Sequence, residues 1–494
     1  MENQSTPPEE SLEKKELSIG AALIPVFALI LMLGFNVLVV YGDLALDGSN
    51  QFILLLGGAV AAIVGYFHKV KFDTMIDEVA KNIQSTAGAI LILLMVGALA
   101  GTWLISGIIP TMIYYGLQIL NPTIFLAATV VICSLISVAT GSSWTTSATV
   151  GIALVGIADA LGIPLGMTAG AILSGAYFGD KMSPLSDTTN LAPAMAGTNL
   201  FTHIRYMAIT TVPTIVVTII IFIIIGLNLD TNGTTDTSVI LHAISTSFNI
   251  SPWLFIVPVL VIFLIVRKTS PLIALLIGTL LGAAAAIIFQ PDIVLEISGS
   301  EELNFVSAYR GIMDAITVDT AIETESEALN DLFASSGMAG MLGTIWLIIC
   351  AMVFGGIMDA IGALARISKA LLNLFDSVFG LFASTVVSCL ALNITASDQY
   401  LAIVVPGKMF AKAYKDKGLA PENLSRTLED SGTVTSVLIP WNTCGAYHSG
   451  VLGVPVVSYI GYSFFNYLSP FMTLLFAAFR IKIKELSASN PHKA

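Results

Sequence analysis

The residues best equipped for chemistry lie in one stretch, GDKMSPLSDTTN, residues 179–190. Asp180 and Asp187 offer carboxylates there, while Ser183, Ser186, Thr188, Thr189 and Asn190 offer neutral oxygens. Such a set suits a hard cation, by the logic that gives calcium and magnesium their carboxylate and carbonyl cages. A carboxylate that binds either a proton or a cation also couples the two by competition. Pro184 cannot donate to a helix and biases Ser183 away from helical dihedrals, so a helix should break here. A second set follows in LEDSGTVTSVLIPWNTCGAY, residues 428–447, with Glu429, Asp430, Thr433 and Asn442 as ligand types and Gly432 and Pro440 as expected breaks. Two further polar clusters are TGSSWTTS, with Thr140, Ser142 and Ser143, and NITASDQY, with Thr395, Ser397 and Asp398.

The elements that must position these groups are apolar. Of 494 residues, 55% are hydrophobic and 11% charged, against about 25% charged in a soluble domain; mean hydropathy is +0.87. Apolar runs at 19–41, 52–67, 87–108, 206–225, 253–266, 272–289, 340–358 and 457–479 approach the roughly 20 residues that cross a bilayer as helix. The fold class is an all-α polytopic membrane protein, and a large soluble enzyme is excluded. No Walker, Rossmann, zinc or triad pattern stands out, and neither a cofactor nor a resident metal is expected. The four cysteines (133, 350, 389, 444) sit in or beside apolar segments without metal-ligand spacing and read as packing.

The net charge of −12 is local: residues 1–18 carry −3 and residues 290–336 carry −9, while the remainder balances. The acidity therefore belongs to a tail and a loop, and no nucleic-acid patch exists. The first 18 residues lack a basic region and do not read as a cleaved signal peptide. Short loops rich in Lys and Arg stay cytoplasmic. Lys69, Lys71 and Lys81, Arg205, Arg267 with Lys268, Arg366 with Lys369, and the run 480–484 mark such loops, whereas 42–51 and 226–252 have neither residue. Both termini are then cytoplasmic, in the cell membrane, and the acidic loop external.

Two apolar segments, 123–160 and 381–410, are each broken by a polar cluster into arms of about 12 to 17 residues, short for a full span. Each reads as a re-entrant hairpin. The order of three spans, hairpin, polar-broken segment and span occurs once over residues 19–227 and again over 253–480, with opposite starting sides. That pattern describes two inverted-topology repeats, each with a hairpin and a discontinuous helix, joined by an external linker at 228–252 and followed by a tail at 481–494. Discontinuous segments at matching positions point to the binding site of a secondary transporter.

Blander readings stand beside these. Asp180 with Lys181 also reads as a pair at the water boundary, Glu429 as a solvated helix end and His203 as an exposed histidine. Asp398 follows a long apolar run with no basic neighbour, which favours burial with function.

Two stretches carry a family resemblance: GAYFGDKMSPLSDTTNLAPAMAGTNLFTHIRYM (175–207) and the segment from TASDQYLAIVVPGKMF to GVLGVP (395–455). Through them the chain resembles the NhaC family of Na+/H+ antiporters. The resemblance implies sodium exchanged for protons by alternating access, with Asp180, Asp187, Asp398 and Asp430 as candidate carboxylates. It implies Na+ and H+ as substrates; the lipid bilayer is the expected surroundings, and a homodimer is one assembly open to the chain. Relatives in this family also exchange malate for lactate or carry amino acids, so a coupled carrier of a small organic solute is the alternative. Lys181 and Lys408 would then be the bases nearest to hand for an anion.

Overall fold

The computed structural model describes residues 17–41, 48–229, 237–323, 333–372 and 377–486. Most of the expected acidic tail, the end of the C-terminal tail and residues 324–332 of the acidic segment lie outside them. Many helix starts are set by side chains. Ser18, Asn121, Ser186, Asn199, Ser377, Asp398 and Asn442 each accept a backbone N–H from the first turn that follows.

The first half runs α1 (Ile19–Phe35), α2 (Ser49–Phe67), α3 (Phe72–Ile105) and α4 (Ile108–Ile119). Next come α5 (Pro122–Thr140), α6 (Ser143–Thr146), a π-helical turn at Ser147–Gly151, and α7 (Ile152–Ala160). Helices α8 (Leu165–Met182) and α9 (Asp187–Ala196) flank the Pro184 break, and α10 (Leu200–Asn228) completes the half. The stretch 228–252, read as a linker, holds a helix, α11 (Thr237–Ser247), bent by 87° from the segment ending in α12 (Ile256–Val266), which opens the second half. Helices α13 (Pro271–Phe289), α14 (Pro291–Ser298) and α15 (Phe305–Thr317) follow. After a short hairpin pairing Thr320–Ala321 with Ala334–Ser335 come α16 (Gly337–Gly340), α17 (Leu342–Ala360) and α18 (Ala363–Leu372). The chain then forms α19 (Val378–Thr395), α20 (Gln399–Asp416), α21 (Pro421–Leu428), a π-helical turn at Glu429–Thr433, α22 (Thr443–Leu452), α23 (Val456–Tyr459) and α24 (Phe464–Ala478). Among the described residues, eight helices are long and apolar enough to span a membrane.

These helices pack as two bundles. Helices α1, α2, α3, α12, α13 and α17 pack on one another, while α5, α8, α9, α10, α19, α20, α21 and α24 form the other group. Small residues bring α5 and α8 into backbone contact. A Cβ on Gly175 would stand 2.3 Å from the Val130 carbonyl oxygen, and one on Gly179 would stand 2.5 Å from that of Ser134. The Ser137 hydroxyl crosses the seam to donate to the Ala176 carbonyl at 2.6 Å.

The structure corrects several expectations. Helices α5 and α19, which precede the two polar breaks, have 19 and 18 residues, about 28 and 27 Å of helix, and each is long and apolar enough to cross a membrane, so they are not the short arms that the sequence breaks suggest. The segment 290–336 is not a plain loop: it forms α14, whose start is set by Pro291, and α15, whose start is set by an Asn304–Ser307 capping box. The run 457–479 is not one span but α23, a 3-10 turn at Ile460–Tyr462 and the 15-residue α24. Gly432 does not break its helix. It lies inside the π-helical turn without a positive φ, and the break falls later, at residues 436–442.

Candidate functional site

The two broken segments, α5 to α7 and α19 to α20, are built alike at their breaks, here called tips. Helix α5 ends at Thr140, Gly141 takes a left-handed φ of 72°, and Ser142 caps α6 by accepting the Thr145 N–H at 3.2 Å. Helix α19 ends at Thr395, Ser397 takes a left-handed φ of 59°, and Asp398 caps α20 by accepting the Leu401 N–H at 3.0 Å. The polar clusters in the sequence thus supply one left-handed residue and one cap at each tip.

The breaks leave backbone groups that lipid cannot satisfy, and side chains satisfy them. At the first break Asn190 Nδ2 donates to the carbonyls of Pro184 at 3.0 Å and Ser186 at 2.7 Å, and the Thr189 hydroxyl lies within 3.2 Å of the carbonyls of Asp180 and Lys181. At the second break Asn393 Nδ2 donates to the Gly432 carbonyl at 2.8 Å, Asn466 Nδ2 to Val434 at 2.8 Å and the Tyr459 hydroxyl to Val437 at 3.0 Å. Asn442 caps α22 and donates to the Asn393 carbonyl at 3.0 Å, and the Thr443 N–H donates to the Ser397 carbonyl at 2.9 Å. The second tip is thereby tied to the start of α22.

Both tips and the first break open onto one cavity of about 600 Å³ between the two bundles. Asp180, Asp187 and Asp398 line it, with Thr140, Ser142, Thr145, Ser186, Thr188 and Thr443 as neutral oxygens. The first bundle closes the cavity with Ser85 and Thr86 of α3 and with the α12–α13 turn, including Lys268. Asp180 is 9% exposed and Asp398 5%, and Tyr400 lines the same cavity as all three carboxylates. Asp180 Oδ2 accepts the Ser143 N–H at 3.1 Å and its hydroxyl at 2.6 Å, which fastens α8 to the first tip. Among the described residues, none of the three carboxylates carries a salt bridge.

Not every expected residue reaches this cavity. Ser143 acts through Asp180; Ser183, Thr189, Asn190, Thr395, Ser397, Thr433 and Asn442 are off the lining. Asp430 is fully buried elsewhere, in an ion pair with Lys181 that also receives the hydroxyls of Thr210 at 2.8 Å, Ser469 at 3.3 Å and Thr473. Glu429 is fully buried beside it rather than solvated, and Asp180 with Lys181 is no water-boundary pair. His203 is buried too, with Nδ1 2.8 Å from the Ser425 hydroxyl, because α10 packs on α21.

Comparison with known proteins shows the family. A profile of the Na+/H+ antiporter family matches residues 175–481. The chain is 37% identical to the Na+/H+ antiporter NhaC of Alkalihalophilus pseudofirmus over 87% of its own length and 90% of that protein's. The chain belongs to this Na+/H+ antiporter family. It is also similar to Bacillus subtilis NhaC (35% identity, covering 84% and 88%) and to the Bacillus subtilis malate-2H+/Na+-lactate antiporter (36%, covering 92% and 93%). The stretch matched by the family profile contains Asp180, Asp187, Asp398, Glu429 and Asp430.

Sequence reasoning named Lys181 and Asp430 singly but missed their pairing, and missed the hydroxyl and amide residues that serve these elements from far along the chain. Lys181 and Asp430 are 249 residues apart, and Thr210, Asn466, Ser469 and Thr473 look like ordinary polar interruptions of apolar helices. Their only signal is a hydroxyl or amide in a run otherwise too apolar to tolerate it. Tyr400 lay inside a quoted cluster but was not singled out.

Proposed function

We propose that this protein exchanges Na+ for H+ by alternating access across the membrane it spans. One observation carries the reading: three carboxylates from both halves of the chain face a single cavity, without a salt bridge, beside neutral hydroxyls. That donor set suits a cation that must bind and leave. Protonation of the same carboxylates would displace it. The cavity reaches the turn bearing Arg267 and Lys268, which the charge distribution assigns to the cytoplasm, and this supports an inward-facing form. Cytoplasmic termini, re-entrant hairpins, two inverted repeats over 19–227 and 253–480 and assembly as a homodimer belong to the same proposal. The paired left-handed tips support the repeat.

A second reading rests on size. A cavity of about 600 Å³ lies within the roughly 300–1,000 Å³ range of small-molecule sites and exceeds what one sodium ion fills. A small organic solute carried with Na+ and H+ is therefore the alternative, and Lys268 would meet its carboxylate.

The test uses proteoliposomes with a preset pH gradient and a pH-sensitive dye, given NaCl, then KCl, then malate, lactate or an amino acid with sodium. Collapse by sodium alone is expected. Collapse only with an organic solute present establishes the second reading instead. Asp180→Asn, Asp187→Asn and Asp398→Asn should each weaken apparent sodium affinity about tenfold or more, from the roughly 1.5–3 kcal/mol that a charged partner contributes. Wild-type exchange in all three variants would remove the cavity from the mechanism.

A further inference from the structure

Helix α21 and the π-helical turn after it are polar at nine of thirteen positions yet buried: Glu422, Asn423, Ser425, Arg426, Thr427, Glu429, Asp430, Ser431 and Thr433 all lie inside the protein. Most have evident partners. Asn423 Nδ2 donates to the carbonyls of Ala420 and Lys484, Glu422 pairs with Lys484 at 2.6 Å, Ser425 meets His203, and Asp430 meets Lys181. Two charged residues stand apart. Neither carboxylate oxygen of Glu429 has a hydrogen-bond partner, and none of the three guanidinium nitrogens of Arg426 has an acceptor. Both side chains are fully buried. Arg426 is held instead against aromatic faces, 4.7 Å from the Tyr206 ring centre and 6.0 Å from that of Phe382.

An ionised carboxylate with no donor, out of water, is far costlier than a neutral carboxylic acid. An arginine stays charged, and cation–π contact is what it has here. The two residues are three apart on a helical segment, the spacing at which side chains meet. The charges facing Glu429 are Lys181 and Asp180 from α8 and its own neighbour Asp430, with the unpartnered Thr433 hydroxyl alongside. Of the other elements packed on the turn, α19 brings the Cys389 thiol against Ser431, and α24 brings Ser469 and Thr473. The charged residues of α9 and α20, Asp187 and Lys408, Lys412, Lys415 and Asp416, are exposed.

We propose that Glu429 is a proton-carrying site distinct from the cavity, neutral in this conformation, and that Arg426 is the positioning residue that pairs with it once the proton leaves. This rests on the exchange reading and refines it. Loss of the Glu429 proton adds a negative charge facing Asp180, which strengthens sodium binding in the cavity. Reciprocity then requires that bound sodium favour release of that proton. This coupling adds to competition at the cavity aspartates and itself needs no shared ligand.

The experiment measures sodium binding to the full-length purified protein by calorimetry across neutral pH, with infrared difference spectra of the same samples. Wild-type sodium affinity should rise with pH by a factor between about 5 and 150, the usual size of coupling between sites. Glu429→Gln should bind sodium more weakly and with a shallower pH dependence, the part that remains coming from the cavity aspartates. Glu429→Asp should retain the pH dependence with a moved midpoint. Arg426→Gln should shift the midpoint to higher pH, since the carboxylate loses its partner, and Arg426→Lys should shift it less. The carbonyl band of a protonated carboxylic acid should disappear on raising the pH of the wild type and be missing from Glu429→Gln. Unchanged pH dependence in a folded Glu429→Gln protein overturns the proposal and leaves competition at the cavity aspartates. Should the wild type bind no sodium, the exchange reading fails, while the carboxylic-acid band still decides whether Glu429 holds the proton. If Glu429→Gln does not fold, a Glu429→Asp protein with the wild-type midpoint and band overturns the proposal.

Discussion

At the residue scale, the two tips do the same job with different residues. Gly141 is needed twice over: its φ is left-handed, and a Cβ there would stand 2.6 Å from that of Leu185. Ser397 adopts the same region with a side chain, a conformation that costs roughly 1–2 kcal/mol for an L-residue. Its carbonyl is held by the Thr443 N–H, which is one restraint on that geometry. Ser397→Gly relieves the strain but adds about 0.5–1 kcal/mol of chain entropy to be lost, so its melting temperature in detergent should stay near that of the wild type. Ser397→Val, branched at Cβ, should melt lower, and Gly141→Ser lower still because strain and overlap combine there. A Gly141→Ser protein as stable as the wild type would show that the tip relaxes. The cavity hydroxyls and aspartates were legible because each interrupts an apolar run. The conformation of Ser397 was not, since serine carries no preference for a positive φ.

At the element scale, the position of Asp180 depends on how closely α8 lies on α5. Gly175 and Gly179 allow backbone contact, and Asp180 follows directly, with its carboxylate against Ser143 at the first tip. Gly179→Ala must push the helices apart, because the atoms it meets include backbone; overpacking of this kind costs about 1–3 kcal/mol. Sodium affinity and melting temperature should fall together in this variant. Gly20→Ala is the control, since nothing lies within 4 Å of a Cβ there and α1 gains a better helix former. Loss of stability without loss of affinity would separate the seam from the site. Legibility at this scale was uneven for a physical reason. Pro184 states its break in the chain itself, whereas the length of α5 and α19 depends on how deep a polar residue can sit once protein satisfies it. Segment 290–336 read as loop because its charge dominates its composition. Its helices rest on caps and on burial of Ile293, Val294 and Ala315, which charge counting overlooks.

At the scale of the whole molecule, the two halves meet at one buried ion pair. Lys181 comes from the end of α8 and Asp430 from the π-helical turn after α21; Thr210 of α10 and Ser469 and Thr473 of α24 complete the shell. No charge pattern announced it, because its members are distant in sequence and each has a nearer charged neighbour. Such a pair adds little net stability over a well-packed apolar pair, yet removing one member strands the other and costs about 3–5 kcal/mol. Lys181→Met and Asp430→Leu should therefore each lower the melting temperature markedly, while the double variant recovers most of the loss. Neither residue lines the cavity, and the pair is neutral as a unit, so the double variant should still bind sodium with a pH dependence close to that of the wild type. A stable double variant that binds no sodium would instead make this junction part of the transport chemistry. If neither single change lowers the melting temperature, the halves are held by their other contacts, His203–Ser425 and Tyr206–Asn423 among them, and the charge of Lys181 serves the neighbouring Glu429 rather than the fold.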